Sequence, residues 1–142
     1  MDFWFSELHT EDVKLSIKVD KLIFSEENDH NRIDIFESPE YGRVLTADGY
    51  IIMTEKDEFI YHEMMTHIPM AVHPNPQKVL VFGAGDGGVV RELLKYPEVE
   101  RIDMVEVNVG VVEAAKKYLP FSAQGLDDPR VTIFSQNALR FI

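Results

Sequence analysis

Residues 83–88, Gly83-Ala84-Gly85-Asp86-Gly87-Gly88, hold four of the chain's eight glycines. They fit G-x-G-x-x-G, between the apolar run Lys78–Phe82 and a helix expected from about Gly88 to Tyr96. Glycines here permit a tight turn and let a ligand approach a helix N-terminus. Glu106 lies 20 residues after Asp86, at the end of the next expected strand, where a carboxylate accepts hydrogen bonds from ribose hydroxyls. The chemistry indicated is nucleoside binding, and Asp86 narrows it. A dinucleotide brings pyrophosphate to the helix N-terminus. A carboxylate in the loop repels that pyrophosphate and competes for the same N–H groups. A ribose ligand with no phosphate and a positive charge fits better, as in the sulfonium S-adenosylmethionine and its relatives. The competing reading is a glycine turn that only lets helix and strand pack closely.

A second candidate cluster precedes the loop, in Tyr61-His62-Glu63-Met64-Met65-Thr66-His67. It approaches the zinc-protease pattern H-E-x-x-H, but its histidines are five residues apart. Five residues turn about 140° around a helix, so the imidazoles do not share a face. No metal site is expected. For His62 alone, a hydrogen-bonded helix histidine competes with a binding role.

These residues need elements to position them. Val13, Leu15, Ile17 and Val19 alternate with polar residues, the period of a half-buried strand. Further strands are expected at Lys21–Phe24, Arg32–Phe36, Arg43–Leu45 and Tyr50–Thr54, with Thr46-Ala47-Asp48-Gly49 as a hairpin turn. A helix is expected from Lys56 to about Ala71. Phe59, Met64, Ile68 and Ala71 form its apolar face, Thr54 is placed to cap it, and Pro69 should end or kink it. Lys78–Phe82 lacks alternation, as for a strand buried on both faces. A strand at Arg101–Val107, a helix at Val109–Leu119 and a strand at Val131–Phe134 follow. Asn108 is a candidate N-cap for that helix.

The order β-α-β-α-β marks a parallel sheet with right-handed crossovers. The fold expected is α/β: a small N-terminal antiparallel β domain over residues 1–54, then a partial Rossmann-like nucleoside-binding domain over 55–142. Three parallel strands make the first half of a doubly wound sheet. The apolar first strand then stands at an edge, where further chain or a partner chain is expected to cover it.

Composition narrows the class. The chain has 142 residues, a formal net charge of −11, 45% hydrophobic residues and no cysteine. The apolar content opposes disorder, and the apolar runs are too short for a membrane span. The acidic balance argues against nucleic-acid binding. Without cysteine there is no disulfide framework or thiolate nucleophile. No signal peptide is visible in Met1–Phe5, so a cytoplasmic protein is expected. Residues 1–75 hold 16 acids and 6 bases, so nearly all the negative charge lies there. That surplus would draw a cationic substrate, or simply keep the protein in solution.

Taken together and in order, several segments resemble spermidine synthase, an aminopropyltransferase family. They are Thr54–Met64, His67–Pro69, His73–Pro76, Val79–Gly88, Arg91-Glu92, Val105-Glu106, Lys116–Pro120 and Asp127–Val131. Trp4–Glu7 and Ile35–Ser38 match the family's N-terminal β domain. The resemblance spans essentially the whole chain. It implies a Rossmann-like fold of the S-adenosylmethionine-dependent transferase type. It also implies aminopropyl transfer from decarboxylated S-adenosylmethionine to putrescine, giving spermidine and methylthioadenosine.

The resemblance assigns residues by position. Asp86 holds the donor's aminopropyl ammonium and faces the diamine. Glu106 binds the donor ribose, and Gly83 and Gly85 form the donor loop. Tyr61 and His62 line the diamine site, with neutral His62 able to accept from an amine. Asn31 and Asn137-Ala138 stand where the family contacts the nucleoside.

Some positions depart from the family. Asn137-Ala138 replaces Asp-Gly, Asn108 replaces a frequent Asp, Ile52 replaces a frequent Gln, and Gly83-Ala84-Gly85 replaces three glycines. The family's catalytic Asp, which deprotonates the attacking amine, follows a fourth strand. No acid in residues 1–142 matches it, so the expected catalytic set is empty and residues 1–142 alone should not turn over. No cofactor is implied, since the donor is a co-substrate. A homodimer or homotetramer is implied, with no nucleic-acid or membrane partner. A non-catalytic nucleoside- or polyamine-binding module, an assembly module, and a related transferase on another amine or a methyltransferase stay open.

Overall fold

The computed structural model describes residues 1–142. The chain divides into two compact units, Met1–Glu58 and Phe59–Ile142.

The first unit is antiparallel β structure. Strands β1 (Phe3–Leu8) and β2 (Lys14–Val19) pair as a two-stranded sheet. Strands β3 (Lys21–Glu27), β4 (Arg32–Ser38), β5 (Gly42–Ala47) and β6 (Tyr50–Thr54) follow as a four-stranded meander. The β5–β6 hairpin closes through Asp48 and Gly49 with φ of 51° and 82°. Two positive φ angles give the turn that matches strand twist. Ile17, Phe36 and Val44 form a buried cluster, with Phe5, Val19, Tyr41 and Ile51 packed against it.

Strand β1 was not anticipated. Its first three residues are all aromatic, so no alternation shows. The half-buried positions are Phe5, whose ring lies 5.2 Å from that of Phe36, and Glu7, whose Oε2 accepts from the Ile51 N–H. A carboxylate that satisfies backbone occupies a position where the period would call for an apolar residue.

The second unit holds a parallel sheet, β7 (Lys78–Phe82), β8 (Arg101–Val105) and β9 (Val131–Phe134), in spatial order 7-8-9. Its helices are α1 (Glu58–Val72, starting at the end of the first unit), α2 (Gly88–Leu93), α3 (Val109–Tyr118), α4 (Pro120–Ala123) and α5 (Ala138–Phe141). No helix is long and apolar enough to cross a membrane. Growth in one direction from the first strand leaves β7 at an edge, as the strand order implied.

Two local expectations fail. Strand β7 is not buried on both faces: Leu80 and Phe82 are 46% and 43% exposed. The strand buried on both faces is β8, where Ile102, Met104 and Val105 are all buried. An apolar run records what a strand can bury, while burial itself depends on its neighbours. Helix α1 starts at Glu58, so Thr54 does not cap it and instead donates its hydroxyl to Asp57. The helix runs to Val72, close to its expected end, so Pro69 lies inside it and does not end it.

The face of α1 is inverted as well. Phe59, Met64, Ile68 and Ala71 are exposed, whereas Glu58, His62, Thr66 and Met70 are buried. The buried set follows strict i, i+4 spacing, so it is a helix face as regular as the apolar one. Periodicity selected the apolar stripe; the partners of His62 selected the other.

Candidate functional site

The site grows from the end of β7. The Gly83 N–H donates to Val105 O at 3.0 Å, which carries the parallel ladder one residue beyond the strand. Gly83 and Gly87 have φ of 69° and 86°, a conformation that L side chains rarely adopt. The backbone thereby turns sharply into α2, with Gly87 N–H closing on Ala84 O at 2.9 Å. Gly85 serves a different need. A Cβ there would lie 2.9 Å from Val111 Cγ1 and 3.1 Å from Glu106 Oε2. Its absence lets Glu106 approach the loop backbone.

Asp86 lies inside the turn and is 8% exposed. Its Oδ1 accepts from the Gly88 N–H at 2.8 Å, at the N-terminus of α2. The protein's own carboxylate therefore occupies the place a phosphate would take. Ser122 of α4 donates its hydroxyl to the same oxygen at 3.3 Å, and His62 Nε2 lies 3.0 Å away. Burial pushes the Asp86 carboxyl up, but His62, the Gly88 amide and Ser122 outweigh it and hold the group below its ordinary value.

His62 is 1% exposed. A carboxylate only accepts, so Nε2, facing Asp86, is the donor. Nε2 thereby points its proton at Asp86, and the ring plane is fixed by that contact. Gly88 makes this possible: a Cβ there would lie 2.2 Å from His62 Nδ1 and Cε1 and 2.4 Å from Cγ. Tyr61 is 60% exposed, with its ring edge-on to His62 at 5.5 Å between centroids. The other histidine diverges, as five-residue spacing requires. His67 Nε2 meets Glu92 Oε2 at 3.1 Å, and its Nδ1 shares a hydrogen bond with the Tyr96 hydroxyl.

Glu106 directly follows β8 and is 8% exposed. Its Oε1 accepts from Asn108 N–H at 3.0 Å. Asn108 caps α3 as expected, its side chain accepting from Gly110 N–H at 2.9 Å. Asp86 and Glu106 are thus two buried carboxylates served by one glycine loop.

The remaining expected residues are held by local contacts of their own. Asn137 is exposed at the start of α5, and its side-chain oxygen caps Leu139 N–H at 2.9 Å. Ala138 beside it is half-buried. Asn31 belongs to the first unit, in the β3–β4 turn, where its N–H donates to Asn28 Oδ1. Two residues escaped sequence reasoning. The sequence marks Gly88 only as part of a turn, although its missing side chain makes room for His62. Ser122, in an unremarkable Pro120–Ala123 segment, carried no signal at all.

A parallel sheet begun by a glycine loop, with acids after its first two strands, is the Rossmann-like start of an S-adenosylmethionine-dependent transferase fold. Comparison with known proteins is consistent and more specific. Residues 58–142 match the spermine/spermidine synthase domain, and residues 3–55 match the spermidine synthase tetramerisation domain. The chain belongs to the spermidine synthase family. It is 55% identical over 142 residues to a polyamine aminopropyltransferase of Clostridium botulinum (strain Alaska E43 / Type E3), covering 100% of this chain and 50% of that protein. It is 50% identical, with the same coverage, to a polyamine aminopropyltransferase of Streptococcus pneumoniae. The crystal structure of spermidine synthase from Thermotoga maritima superposes with a TM-score of 0.95 at 48% identity, covering 98% of this chain and 49% of that one. A spermidine synthase in complex with the transition-state analogue AdoDATO matches equally well. The chain spans about half the length of these relatives.

Proposed function

We propose that this chain forms the donor- and amine-binding part of a spermidine synthase. The reaction is aminopropyl transfer from decarboxylated S-adenosylmethionine to putrescine. The amine nitrogen attacks the aminopropyl carbon next to the sulfonium, and the C–S bond breaks. Its electron pair stays on sulfur, the product nitrogen loses a proton, and spermidine and methylthioadenosine result. The observation that carries this reading is Asp86, a buried carboxylate held ionised at the helix N-terminus of a nucleoside-type loop. Such a loop disfavours phosphate and favours an ammonium or sulfonium. Glu106, at 8% exposure beside Gly85, supports ribose binding.

Tyr61 and His62 belong to the diamine side in this reading. Tyr61 offers an exposed ring, and His62 orients Asp86. Gly83 and Gly85 shape the donor loop, and Asn31, Asn137 and Ala138 are assigned to the nucleoside. The donor is consumed, so no cofactor is required. The match to a tetramerisation domain over residues 3–55 supports a homodimer or homotetramer built through the first unit. A cytoplasmic location accords with the reaction. No acid of residues 1–142 matches the catalytic Asp of the family, so residues 1–142 alone should bind without turnover.

Two assays test the reading. Methylthioadenosine should give saturable heat in a calorimetric titration, and no heat at millimolar ligand would contradict a nucleoside pocket. Incubation with decarboxylated S-adenosylmethionine and putrescine should release no methylthioadenosine. Robust release would refute the claim that this segment lacks its base.

A further inference from the structure

We infer that Ser122 is a positioning residue for the Asp86 carboxylate, fixing Oδ1 to the protein so that Oδ2 is presented to a cationic ligand. The inference rests on the reading of Asp86 as the amine's partner. It deepens that reading by assigning a role to a residue outside the glycine loop.

A carboxylate has two oxygens and about four lone-pair sites. Three protein contacts converge on Asp86 Oδ1: Gly88 N–H at 2.8 Å, His62 Nε2 at 3.0 Å and Ser122 Oγ at 3.3 Å. The three donors come from α2, α1 and α4, so they reach Oδ1 from separate elements. With Oδ1 so held, rotation of the carboxylate is restricted, which fixes the direction in which Oδ2 meets an ammonium.

Ser122 is fully buried at 0% exposure, and its hydroxyl is spent on Asp86. Its backbone is held from the side. Arg91 Nη1 donates to Phe121 O at 3.0 Å, while the Arg91 guanidinium also pairs with Glu92 Oε1 at 3.0–3.1 Å. Glu92 in turn is tied to Lys95 and to His67 of α1. The arginine that α2 places beside Glu92 thus fixes the short α4 helix at the residue before Ser122. His62 is the titratable neighbour facing Asp86; the α2 and α4 contacts are an amide and a hydroxyl.

The test uses residues 1–142 with Ser122→Ala, and Ser122→Cys as a size-matched variant with a weaker donor. Two readouts are taken. The first is the titration of the Asp86 carboxyl by carbon-13 NMR without ligand. The second is calorimetric binding of spermidine and, separately, methylthioadenosine. Ser122→Ala should move the Asp86 titration to higher pH and weaken spermidine about 3- to 10-fold, the worth of one ordinary hydrogen bond. Methylthioadenosine affinity should stay unchanged, and Ser122→Cys should fall between. A serine that merely fills space would lower thermal stability and leave the Asp86 titration in place, and that result overturns the proposal. If the unmodified chain fails to bind spermidine, the reading of Asp86 as an amine site falls. The ligand-free titration still decides whether Ser122 holds Asp86.

Discussion

Helices α1 and α3 belong to the same unit and bury opposite kinds of face. Helix α3 is ordinary: Val112, Ala114 and Ala115 are buried, and Lys116 and Lys117 close its last turn. Helix α1 buries Glu58, His62, Thr66 and Met70 while Phe59, Ile60, Met64, Met65 and Ile68 stay exposed. The difference is instructive. Helix α3 is placed by apolar burial. Helix α1 is placed in this unit by specific polar contacts, His62 to Asp86 and His67 to Glu92. Apolar side chains are exposed on β7 too, at Leu80 and Phe82. Exposed apolar surface of this kind marks a place where another surface packs.

The largest effect should come from Gly88→Ala. A methyl group 2.2 Å from a buried imidazole forces His62 or the loop to move, and overpacking this severe costs about 3 kcal/mol or more. Gly83→Ala is the comparison within the same loop. Nothing lies within 4 Å of a Cβ there, so only its positive φ resists, at about 1 kcal/mol. Urea denaturation of the two variants separates steric conflict from backbone strain. Equal losses would show that His62 does not pack on Gly88.

His62→Ala should follow at about 2–3 kcal/mol, since it removes a donor from a buried carboxylate and leaves a cavity. Met65→Ala, on the exposed face at 53%, should change stability by under about 0.5 kcal/mol. On α1 the polar truncation is thus expected to cost more than the apolar one. The reverse order would mean that α1 is held by its apolar face. In the same vein, the double change Met65→Lys and Ile68→Lys should lower binding of a hydrophobic fluorescent dye without shifting the denaturation midpoint.

Acid should expose the role of Asp86. Its folded-state pKa lies below the unfolded value. The stabilisation is therefore complete above the unfolded pKa, near the ordinary aspartate value, and disappears as pH falls through the depressed folded one. Stability measured between pH 6 and pH 3, values on the order of ordinary carboxylate titration, should fall on acidification. Asp86→Asn should flatten that limb. The smallest effect belongs to the exposed pair Lys116–Asp127, whose aspartate is 82% exposed. Asp127→Asn should change stability by under about 0.5 kcal/mol.

Much of this was legible from the residues. Asp48-Gly49 named its turn, and Asn108 named its cap, because each depends on chemistry local in sequence. The β-α-β-α-β order followed from spacing alone. The face of α1 was not legible, because two helical stripes coexist and only distant partners at Asp86 and Glu92 choose between them. The exposure of β7 was hidden for the same reason, as an apolar run does not name its neighbours. At the site, Asp86 and Glu106 followed from the loop and the strand ends. Ser122 did not, since it reaches Asp86 across 36 residues. Nor did the direction of His62, because the ring's role depends on which nitrogen faces a carboxylate.

The central claim is that Asp86 makes this loop a site for cations, not phosphates. Calorimetry of residues 1–142 and of Asp86→Asn with spermidine and with inorganic pyrophosphate tests it most directly. The unmodified chain should prefer spermidine, and Asp86→Asn should weaken spermidine about tenfold or more, the loss of a charge-assisted contact. Preference for pyrophosphate, or spermidine affinity unchanged by Asp86→Asn, would contradict the account.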